Sequence, residues 1–346
     1  MVFYILDKEL KVIAPIDFHK SYIWTNRYYE PGDFEVCFPM SVELLQFIKV
    51  GYFIVRETDL TNAMIIYNIE ITTDIDEGNQ LIVKGYCLKS LLDKRIIWNQ
   101  TVLNGEAEAE IRRLVDENAI NPSDSDRIIP FLQLGQLNGF TETISAQYTG
   151  TSLGKAITEI CRSKHYGYDI LLDIENKKFS FVVYKGTDRS HNQIHNPQVT
   201  FSDDYENLLS SSYLYNTTAY KNVVKVAGEG EGKARKSASI GSAVGFDRVE
   251  AYVDARDISS NEGEIIDEDY EQLLIERGNE KIAEFHNEEK IDGEIEPNYN
   301  FILNEDYFLG DIVEVVNEYG IAMAPTIIEI TESDDGQYNV IVKFDS

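Results

Sequence analysis

Residues Gly51–Lys84 read GYFIVRETDLTNAMIIYNIEITTDIDEGNQLIVK, and residues Gly310–Lys343 read GDIVEVVNEYGIAMAPTIIEITESDDGQYNVIVK. The two stretches align without a gap at a constant offset of 259 residues and share 11 identities in 34 positions, against about two expected for unrelated sequences. Each contains an apolar run, an Ala-Met pair, an alternating Ile-Glu-Ile-Thr segment, an acidic turn with Gly and a Val-rich close. Alternation with period two between such turns is typical of antiparallel strands. A fold element used twice in one chain predicts a ring with twice as many units as chains.

The chain before the first copy also predicts antiparallel strands. Val2–Leu6 and Lys11–Ile16 flank a charged turn and predict an opening hairpin. Ser21–Tyr28 and Phe34–Phe38 flank Glu30-Pro31-Gly32, where Pro and Gly in the middle are typical of a type II turn. Together with the first copy, these strands predict a small antiparallel barrel or sandwich.

The pattern then changes to a mixture of helices and strands. Gly105–Ile120 and Ser152–Lys164 each place apolar residues on one helical face, and Gly167 is positioned to end the second helix. Tyr168–Asp173 and Lys178–Tyr184 predict a hairpin. This segment is expected to form a small α+β unit between two β units.

A Gly- and Ser-rich tract, Gly228–Gly245, follows the strand predicted at Tyr220–Ala227. Its composition is typical of a chain that buries no core, so it predicts a long mobile hairpin tip, with Arg248–Val253 as the return strand. Asp267–Glu288 predicts a third helix, in which Gly278 marks a point of close packing. The second copy then completes a β unit.

The predicted fold class is therefore α+β and mainly β, with two related antiparallel β-barrel domains of tube type, a small α+β domain and a helical insertion. The predicted boundaries are 1–95 for the first barrel, 96–200 for the α+β domain, 201–255 and 289–346 for the second barrel, and 256–288 for the insertion.

Composition limits the possible functions. The 31 basic and 60 acidic residues give a net charge of −29, which disfavours a grip on nucleic acid or on an acidic membrane. A negative wall would also keep passing DNA from adhering, and charge alone does not separate that role from a simple acidic protein. The charged N-terminus shows no signal peptide, and no apolar run approaches 18 residues. The three cysteines, Cys37, Cys87 and Cys161, are too few for a disulfide framework and indicate a reducing compartment during synthesis.

Two motifs invite a chemical interpretation. Gly228–Lys233 resembles a phosphate-binding loop, but the spacing does not match, Ala234 replaces the metal-binding hydroxyl, and the two glutamates would repel phosphate. Cys161 and His165 are four residues apart on a helix, as a nucleophile and base could be. Cys161 lies on the predicted core face, however, which favours a structural thiol.

Other polar residues carry no recognisable site. His191 and His195 flank a loop with Asp188, but the sequence marks no third or fourth ligand for a metal. Sixty carboxylates guarantee close Asp/Glu pairs, and the sequence does not single out the pair that a glycosidase would need. We therefore predict no catalytic residues, no cofactor and no metal.

Six motifs occur in order along the chain: Ser21–Glu35, Arg95–Thr101, Asp188–Ser190, Tyr220–Asn222 with Ala227–Gly232, Tyr252–Ser259 and Leu309–Val313. Together they resemble one family, the hub proteins of long phage tails, known as tail-associated or baseplate-hub proteins of the siphophage Gp37-like type. The motifs run from the first barrel to the last strand, so the resemblance covers essentially the whole chain.

The resemblance implies a homotrimer at the distal tip of a phage or phage-like tail, in which two barrels per chain form a pseudo-sixfold ring that continues the tail tube. The channel would pass the tape-measure protein and then DNA, without specific nucleic-acid binding or membrane insertion. Partners would be the distal tail protein or tail tube above, and a spike, fibre or receptor-binding component below. Synthesis would occur in the host cytoplasm, followed by incorporation into the virion tail tip.

The sequence ends at Ser346, just after the second copy, whereas many relatives continue into a hydrolase or fibre. The predicted function is therefore a structural, non-enzymatic hub. The alternative is a peptidoglycan hydrolase or other cell-wall-degrading, carbohydrate-active component of the tip that uses acidic residues. A saccharide-binding module that uses exposed tyrosines also stays open.

Overall fold

Strands run through the chain from one end to the other. The computed structural model describes residues 1–74, 78–263, 265–296 and 299–345. The acidic turn of the first repeat copy, with Asp76, lies outside the described residues. Strands make up 42% and helices 20%, so the predicted mainly β, α+β class is confirmed.

The first β unit has the predicted opening hairpin and a core built from alternating positions. Phe34, Val36 and Phe38 face the same core as Trp24 and Val83, and all five are buried. The elements are β1 (Phe3–Leu6), β2 (Val12–Ile16), β3 (Ser21–Arg27), β4 (Asp33–Pro39), α1 (Leu44–Phe47), β5 (Phe53–Arg56), β6 (Asp59–Asp74) and β7 (Gly78–Cys87).

The turn between β3 and β4 differs from the prediction. A type II turn at Glu30-Pro31-Gly32 needs a positive φ at its glycine, and Gly32 has none. A Cβ on Gly32 would lie 2.1 Å from the backbone oxygen of Thr25. This position requires glycine because two backbones approach closely, not because the turn is left-handed.

The middle unit contains both predicted helices. The predicted inward face of the first helix is fully buried at Ala107, Ile111 and Leu114, although the helix begins only at Ala107 because Gly105 still pairs with Ile144. After a 3-10 segment at Leu88–Lys94, the elements are β8 (Thr101–Glu106), α2 (Ala107–Val115) with a π turn at Asp116–Ile120, β9 (Leu132–Leu134), β10 (Thr143–Tyr148), α3 (Leu153–Lys164), β11 (Gly167–Asp173) and β12 (Lys178–Tyr184).

Both ends of α3 are defined by caps. Ser152 accepts a hydrogen bond from the backbone of Lys155 at the N-terminus. The predicted stop at Gly167 is wrong, because His165 takes the left-handed conformation one residue after the helix. Gly167 instead begins β11, where a Cβ would lie 2.3 Å from the ring of Tyr28.

The remainder of the chain forms a second β unit with an insertion. Ile291, Ile330 and Val342 contribute to its core. The elements are β13 (Thr200–Ser202), β14 (Leu208–Asn216), β15 (Val223–Ala227), β16 (Ser237–Ile240), β17 (Glu250–Asp254), α4 (Asp267–Glu284), β18 (Glu288–Ile295), β19 (Glu314–Val316), β20 (Ala322–Met323), β21 (Thr326–Asp334) and β22 (Tyr338–Asp345).

The Gly/Ser-rich tract belongs to a packed unit, so the prediction of a long mobile tip is wrong. β16, within the tract, pairs antiparallel with β15, and Ala238 is buried under α4. The predicted return strand, β17, runs parallel to β15. Gly278 of α4 marks the predicted close contact, since a Cβ there would lie 2.0 Å from Ile240. The three strands and α4 share one hydrophobic cluster, while the domain boundaries given above stay a prediction.

The two β units join in one 11-stranded sheet with the order β14-β18-β22-β21-β3-β4-β7-β6-β5-β1-β2. Its two halves contain the same antiparallel run of four strands, β3-β4-β7-β6 in one and β14-β18-β22-β21 in the other. One register row crosses the first run through Tyr22, Val36, Val83 and Ile69. The matching row crosses the second through Ser211, Gly293, Val342 and Ile330.

This register corrects the ungapped alignment. The alignment matches Ile69 with Ile328, but Ile330 is the residue that lies opposite Val342 as Ile69 lies opposite Val83. The hairpins therefore differ by two residues on one strand. A shift of two residues keeps every side chain on its original face of the sheet, so the two hairpins still present equivalent buried faces.

Candidate assembly surface

The large sheet has one face packed on the hydrophobic clusters and an opposite face with paired charges, which we call the charged face. Arg27 at the end of β3 lies at its centre. Its guanidinium donates to Asp33 (Nη1 to Oδ2, 2.5 Å) and to Glu329 of β21 (Nε to Oε2, 2.5 Å). Lys343 of β22 lies 2.6 Å from the other oxygen of Glu329. The chain of four charges therefore crosses from one β unit to the other.

The pairing fixes the ionisation of these groups. Burial opposes the charge of Glu329, but the hydrogen bonds from Lys343 and Arg27 outweigh it and lower the pKa of the carboxyl. The same balance raises the pKa of Arg27. Farther along the face, a hydrogen bond from Lys84 to Glu35 raises the pKa of that lysine. These cations are thus committed to carboxylates of the protein itself.

A buried ion pair clamps the two β units together on the opposite side of the junction. Arg56 of β5 donates from Nη2 to Oε1 of Glu332 in β21 over 2.8 Å, and both side chains are almost fully buried. The guanidinium lies over the ring of Trp24, 4.8 Å from its centroid. Tyr338 donates to the second oxygen of Glu332 at 2.8 Å. Removing one partner of such a pair leaves an uncompensated buried charge, so each of the two side chains requires the other at this junction.

A close-packed corner links three of the sequence motifs. Tyr28, after β3, accepts a hydrogen bond from the backbone of Gly186 and donates one to the carbonyl of His165. Its ring lies against Gly310, where a Cβ would be only 2.3 Å away and φ is +95°. A Cβ on Gly186 would be 1.7 Å from the oxygen of Gly310. Both glycines are required because backbone and ring occupy the space of a side chain.

Asp311 completes this corner from the Leu309–Val313 motif. The buried carboxylate accepts hydrogen bonds from the backbone of Thr187 (2.7 Å) and Phe308 (3.0 Å) and from Nε of Arg189 (2.6 Å). Arg189 belongs to the Asp188–Ser190 motif, so these two short motifs contact each other directly in the fold. Their role is to fix the second β unit against the middle unit.

Two buried charged residues that the sequence analysis missed also act as backbone clamps. Lys89 donates to the carbonyls of Arg27 (2.5 Å) and Tyr28 (3.4 Å), at the end of β3. Glu108 accepts three backbone N–H groups, from residues 138, 139 and 140, at 2.7 to 3.0 Å. The available signal for Glu108 is its position as the second residue of a helix whose inward face is otherwise apolar.

The strands β15, β16 and β17 and the helix α4, which we call the inserted unit, lie between β14 and β18 in the chain. The inserted unit packs on the middle unit through polar contacts of α4. Tyr148 of β10 donates to Oε1 of Glu280 at 3.1 Å, and Lys281 pairs with Glu159 of α3 at 3.2 Å. Burial raises the pKa of Glu280 to about 7, in spite of Arg277 nearby. At the other end of the unit, Glu229 of the Gly-rich tract accepts two hydrogen bonds from Ser260, which anchors the tract.

The residues considered for chemistry do not assemble into a site. Cys161 is fully buried, and burial raises the pKa of its thiol, so it is inert, while His165 serves as the helix cap. His191 and His195 are exposed, and Asp188 accepts hydrogen bonds from Ser190 in its own turn. Among the described residues, no group of three or more His, Cys, Asp or Glu side chains is arranged to hold a metal ion.

The phosphate-loop interpretation of Gly228–Lys233 fails in the structure as well. The carboxylate of Glu229 accepts a hydrogen bond from Ser260, and the backbone N–H of Glu229 donates to the hydroxyl of Tyr270. Groups of the protein itself therefore occupy the positions where a phosphate would bind. Within the described residues, no helix has both the length and the apolar composition of a membrane span.

The sequence pattern of one known family, described as Siphovirus ReqiPepy6 Gp37-like protein, matches residues 2–344. The chain belongs to this family. The resemblance predicted from the six motifs is thereby confirmed, and the family assigns the protein to the tail of a virion. A comparison with sequences of characterised proteins finds no match.

Solved structures of tail proteins share the fold of this Gp37-like protein. A tail protein from Neisseria meningitidis MC58 aligns with 100% of this chain and 96% of its own, at a TM-score of 0.61 and 11% identity. The 43 kDa tail protein of prophage MuSo2 from Shewanella oneidensis aligns with 99% of this chain and 98% of its own, at a TM-score of 0.60 and 10% identity. Prophage tail protein gp18 from Listeria monocytogenes EGD-e aligns with 100% of this chain and 94% of its own, at a TM-score of 0.56 and 10% identity. At such identities the likeness is one of fold, retained across the full length.

Proposed function

We propose that this Gp37-like protein is the structural hub of a tail tip, a homotrimer whose six β units form a pseudo-sixfold ring. One observation carries the proposal: a single chain contains two copies of the same four-strand run, and they join edge to edge through β21 and β3. Three chains joined in the same way supply six equivalent units, which suits a threefold tip seated on a sixfold tube.

The charged face of the sheet suits the wall of a channel. Its named cations are all bound to carboxylates, in a chain of net charge −29. Phosphate contacts need lysines and arginines that can exchange their counterions, and these side chains are already neutralised. In our proposal the tape-measure protein and then DNA pass along this face without being held.

The proposed partners follow from the position of the ring. The distal tail protein or tail tube would bind above it, and a spike, fibre or receptor-binding component below. The role is structural, with synthesis in the host cytoplasm before assembly. Cys161 is buried and burial raises the pKa of its thiol, which argues against a cysteine nucleophile. A hydrolase that uses acidic residues remains the alternative to the hub.

Two experiments test the proposal. Electron microscopy of tails that contain the protein should show three copies at the tip, and six copies or a single copy would refute the trimer. Zymography of the purified chain on peptidoglycan should show no clearing, and a clear zone would instead support the hydrolase alternative.

A further inference from the structure

The edge strand β14 is exposed along most of its length and carries no charge. Its sequence, LLSSSYLYN, has no charge, proline or glycine, in a chain with 26% charged residues. Residues 209–215 are all exposed, including Tyr213 (37%), Leu214 (46%) and Tyr215 (54%). Among the described residues, β14 pairs only with β18. A long, neutral, apolar edge is a site of aggregation unless another strand covers it.

The other end of the same sheet is protected. Pro15 lies in the edge strand β2, and its nitrogen has no hydrogen to offer to an added strand. The β2 edge of the sheet therefore resists the addition of a strand, whereas the β14 edge does not. For the same reason β2 is a poor partner for β14.

A second uncovered edge lies in the middle of the sheet. β6 has 16 residues, and its first half pairs with β5 only up to Ile65. Within the described chain, residues 68–73 pair with β7 on one side and have no strand on the other. Ile71, in this projecting part, is 49% exposed.

The internal repeat relates these two uncovered edges. In the matching four-strand runs, β14 corresponds to β3, and β6 corresponds to β21. Within one chain, β21 and β3 are paired antiparallel, for example Glu332 with Trp24 and Thr331 with Thr25. The equivalent pairing, β6 with β14, is absent from the described single chain and is available only between copies.

The equivalence also specifies the register. Through the rows described above, Trp24 corresponds to Tyr213 and Glu332 to Ile71. The same transfer can be made along the whole junction, residue by residue. It places Asn68 opposite Asn216, Ile69 opposite Tyr215, Glu70 opposite Leu214, Ile71 opposite Tyr213, Thr72 opposite Ser212 and Thr73 opposite Ser211.

The chemistry of these pairs fits an interface. On the face that continues the hydrophobic core, Ile71 meets Tyr213 and Ile69 meets Tyr215. Cross-strand pairs of aromatic and β-branched residues are among the most favourable in sheets. Glu70 is the one charge among residues 68–73 and 211–216, so the register places no like charges opposite each other.

We propose that residues 68–73 of β6 in one copy add as an antiparallel strand to β14 of the next copy, in the register given above. This inference rests on the trimer proposed as the function and names the surface that closes it. The contact is head to tail, so three repeats of it can form a closed ring.

Paired cysteines test both the contact and the register. The matched control is Thr25→Cys with Thr331→Cys, whose hydroxyls lie 3.1 Å apart and which should form a disulfide within one chain. The equivalent pair, Glu70→Cys with Leu214→Cys, should form disulfides between chains. The same-face pair Glu70→Cys with Ser210→Cys is four residues out of register and should form at least tenfold fewer cross-links.

The oxidised full-length variants are run on denaturing gels without reductant over a concentration series. We expect the in-register pair to give a covalent species of three chains, and a mixture of the two single variants to stop at two. No cross-link between chains, with the intrachain control closed, overturns the inference. So does equal cross-linking by the out-of-register pair.

These outcomes are separable from failure of the proposed function. If microscopy shows three copies at the tip but the in-register pair does not cross-link in the tail, the hub stands and this contact is wrong. If a different protein covers β14, a maleimide photo-cross-linker attached to the single Leu214→Cys variant joins it to that protein in assembled tails, which also overturns the inference.

Discussion

The buried clamp between Arg56 and Glu332 gives the sharpest prediction for stability. The substitution Glu332→Gln keeps the shape but leaves the guanidinium buried beside a neutral amide. Breaking one partner of a buried pair costs about 3–5 kcal/mol, and the bond from Tyr338 weakens too. With a urea slope of about 2–3 kcal/mol per molar for a chain of this size, the unfolding transition of the β units should fall by at least about 1 M.

The control variants isolate the cause. Glu35→Gln removes a pair with Lys84 in which both side chains are about two-fifths exposed, and should cost less than about 1 kcal/mol. The double variant Arg56→Met with Glu332→Leu replaces both charges by apolar groups and should recover most of the loss. Urea unfolding followed by tryptophan fluorescence is suitable because Trp24 lies beside the clamp. If Glu332→Gln costs no more than Glu35→Gln, or the double variant is as weak as the single one, the loss does not come from an unpaired buried charge and the reasoning is refuted.

Three further predictions follow from the same structure. The folded-state pKa of Glu280, about 7, lies above its ordinary value of 4.5, so the wild type should lose stability as pH rises from about 4.5 to about 7, after which this group adds no further loss. Glu280→Gln should flatten urea midpoints measured from pH 5.5 to 8.5, and parallel curves would contradict this. Glu108→Ala frees three backbone donors and should cost about 2–3 kcal/mol and open residues 138–140 to proteolysis, whereas an unchanged digestion pattern would assign them another anchor. Gly310→Ala should destabilise far more than Gly336→Ala in thermal melts, because both have a positive φ but only Gly310 faces a ring at 2.3 Å, and equal losses would refute the steric argument.

Local periodicity explains what could be predicted from the sequence. Phe34, Val36 and Phe38 alternate, and Ala107 and Ile111 recur at helical spacing, so each pattern determines the buried face of its own element. The same logic located the duplicated hairpins. It erred by two residues in the second copy, because a slip of two leaves an alternating pattern unchanged.

Contacts between distant segments could not be predicted in this way. Nothing near Arg56 indicates a partner 276 residues away, although a cation that ends the buried run Phe53–Arg56 was a visible anomaly. The prediction of a mobile tip for the Gly-rich tract was wrong for a related reason. Its composition predicts a chain without a core, but α4 supplies that core from outside, and Tyr270 and Ser260 bind the tract through its backbone and Glu229.

The inserted unit occupies one of two matching corners. It lies between β14 and β18, where the first β unit has only the short turn Tyr28–Gly32 between β3 and β4. In a ring of three copies, the inserted units would therefore alternate around a nearly hexagonal rim with corners that the middle unit covers, where Tyr28 packs. A component that binds the inserted units would find three anchor points spaced 120° apart, while one that contacts only the strands common to both β units would find six. The same ring could thus present two symmetries to two neighbours without any change of shape.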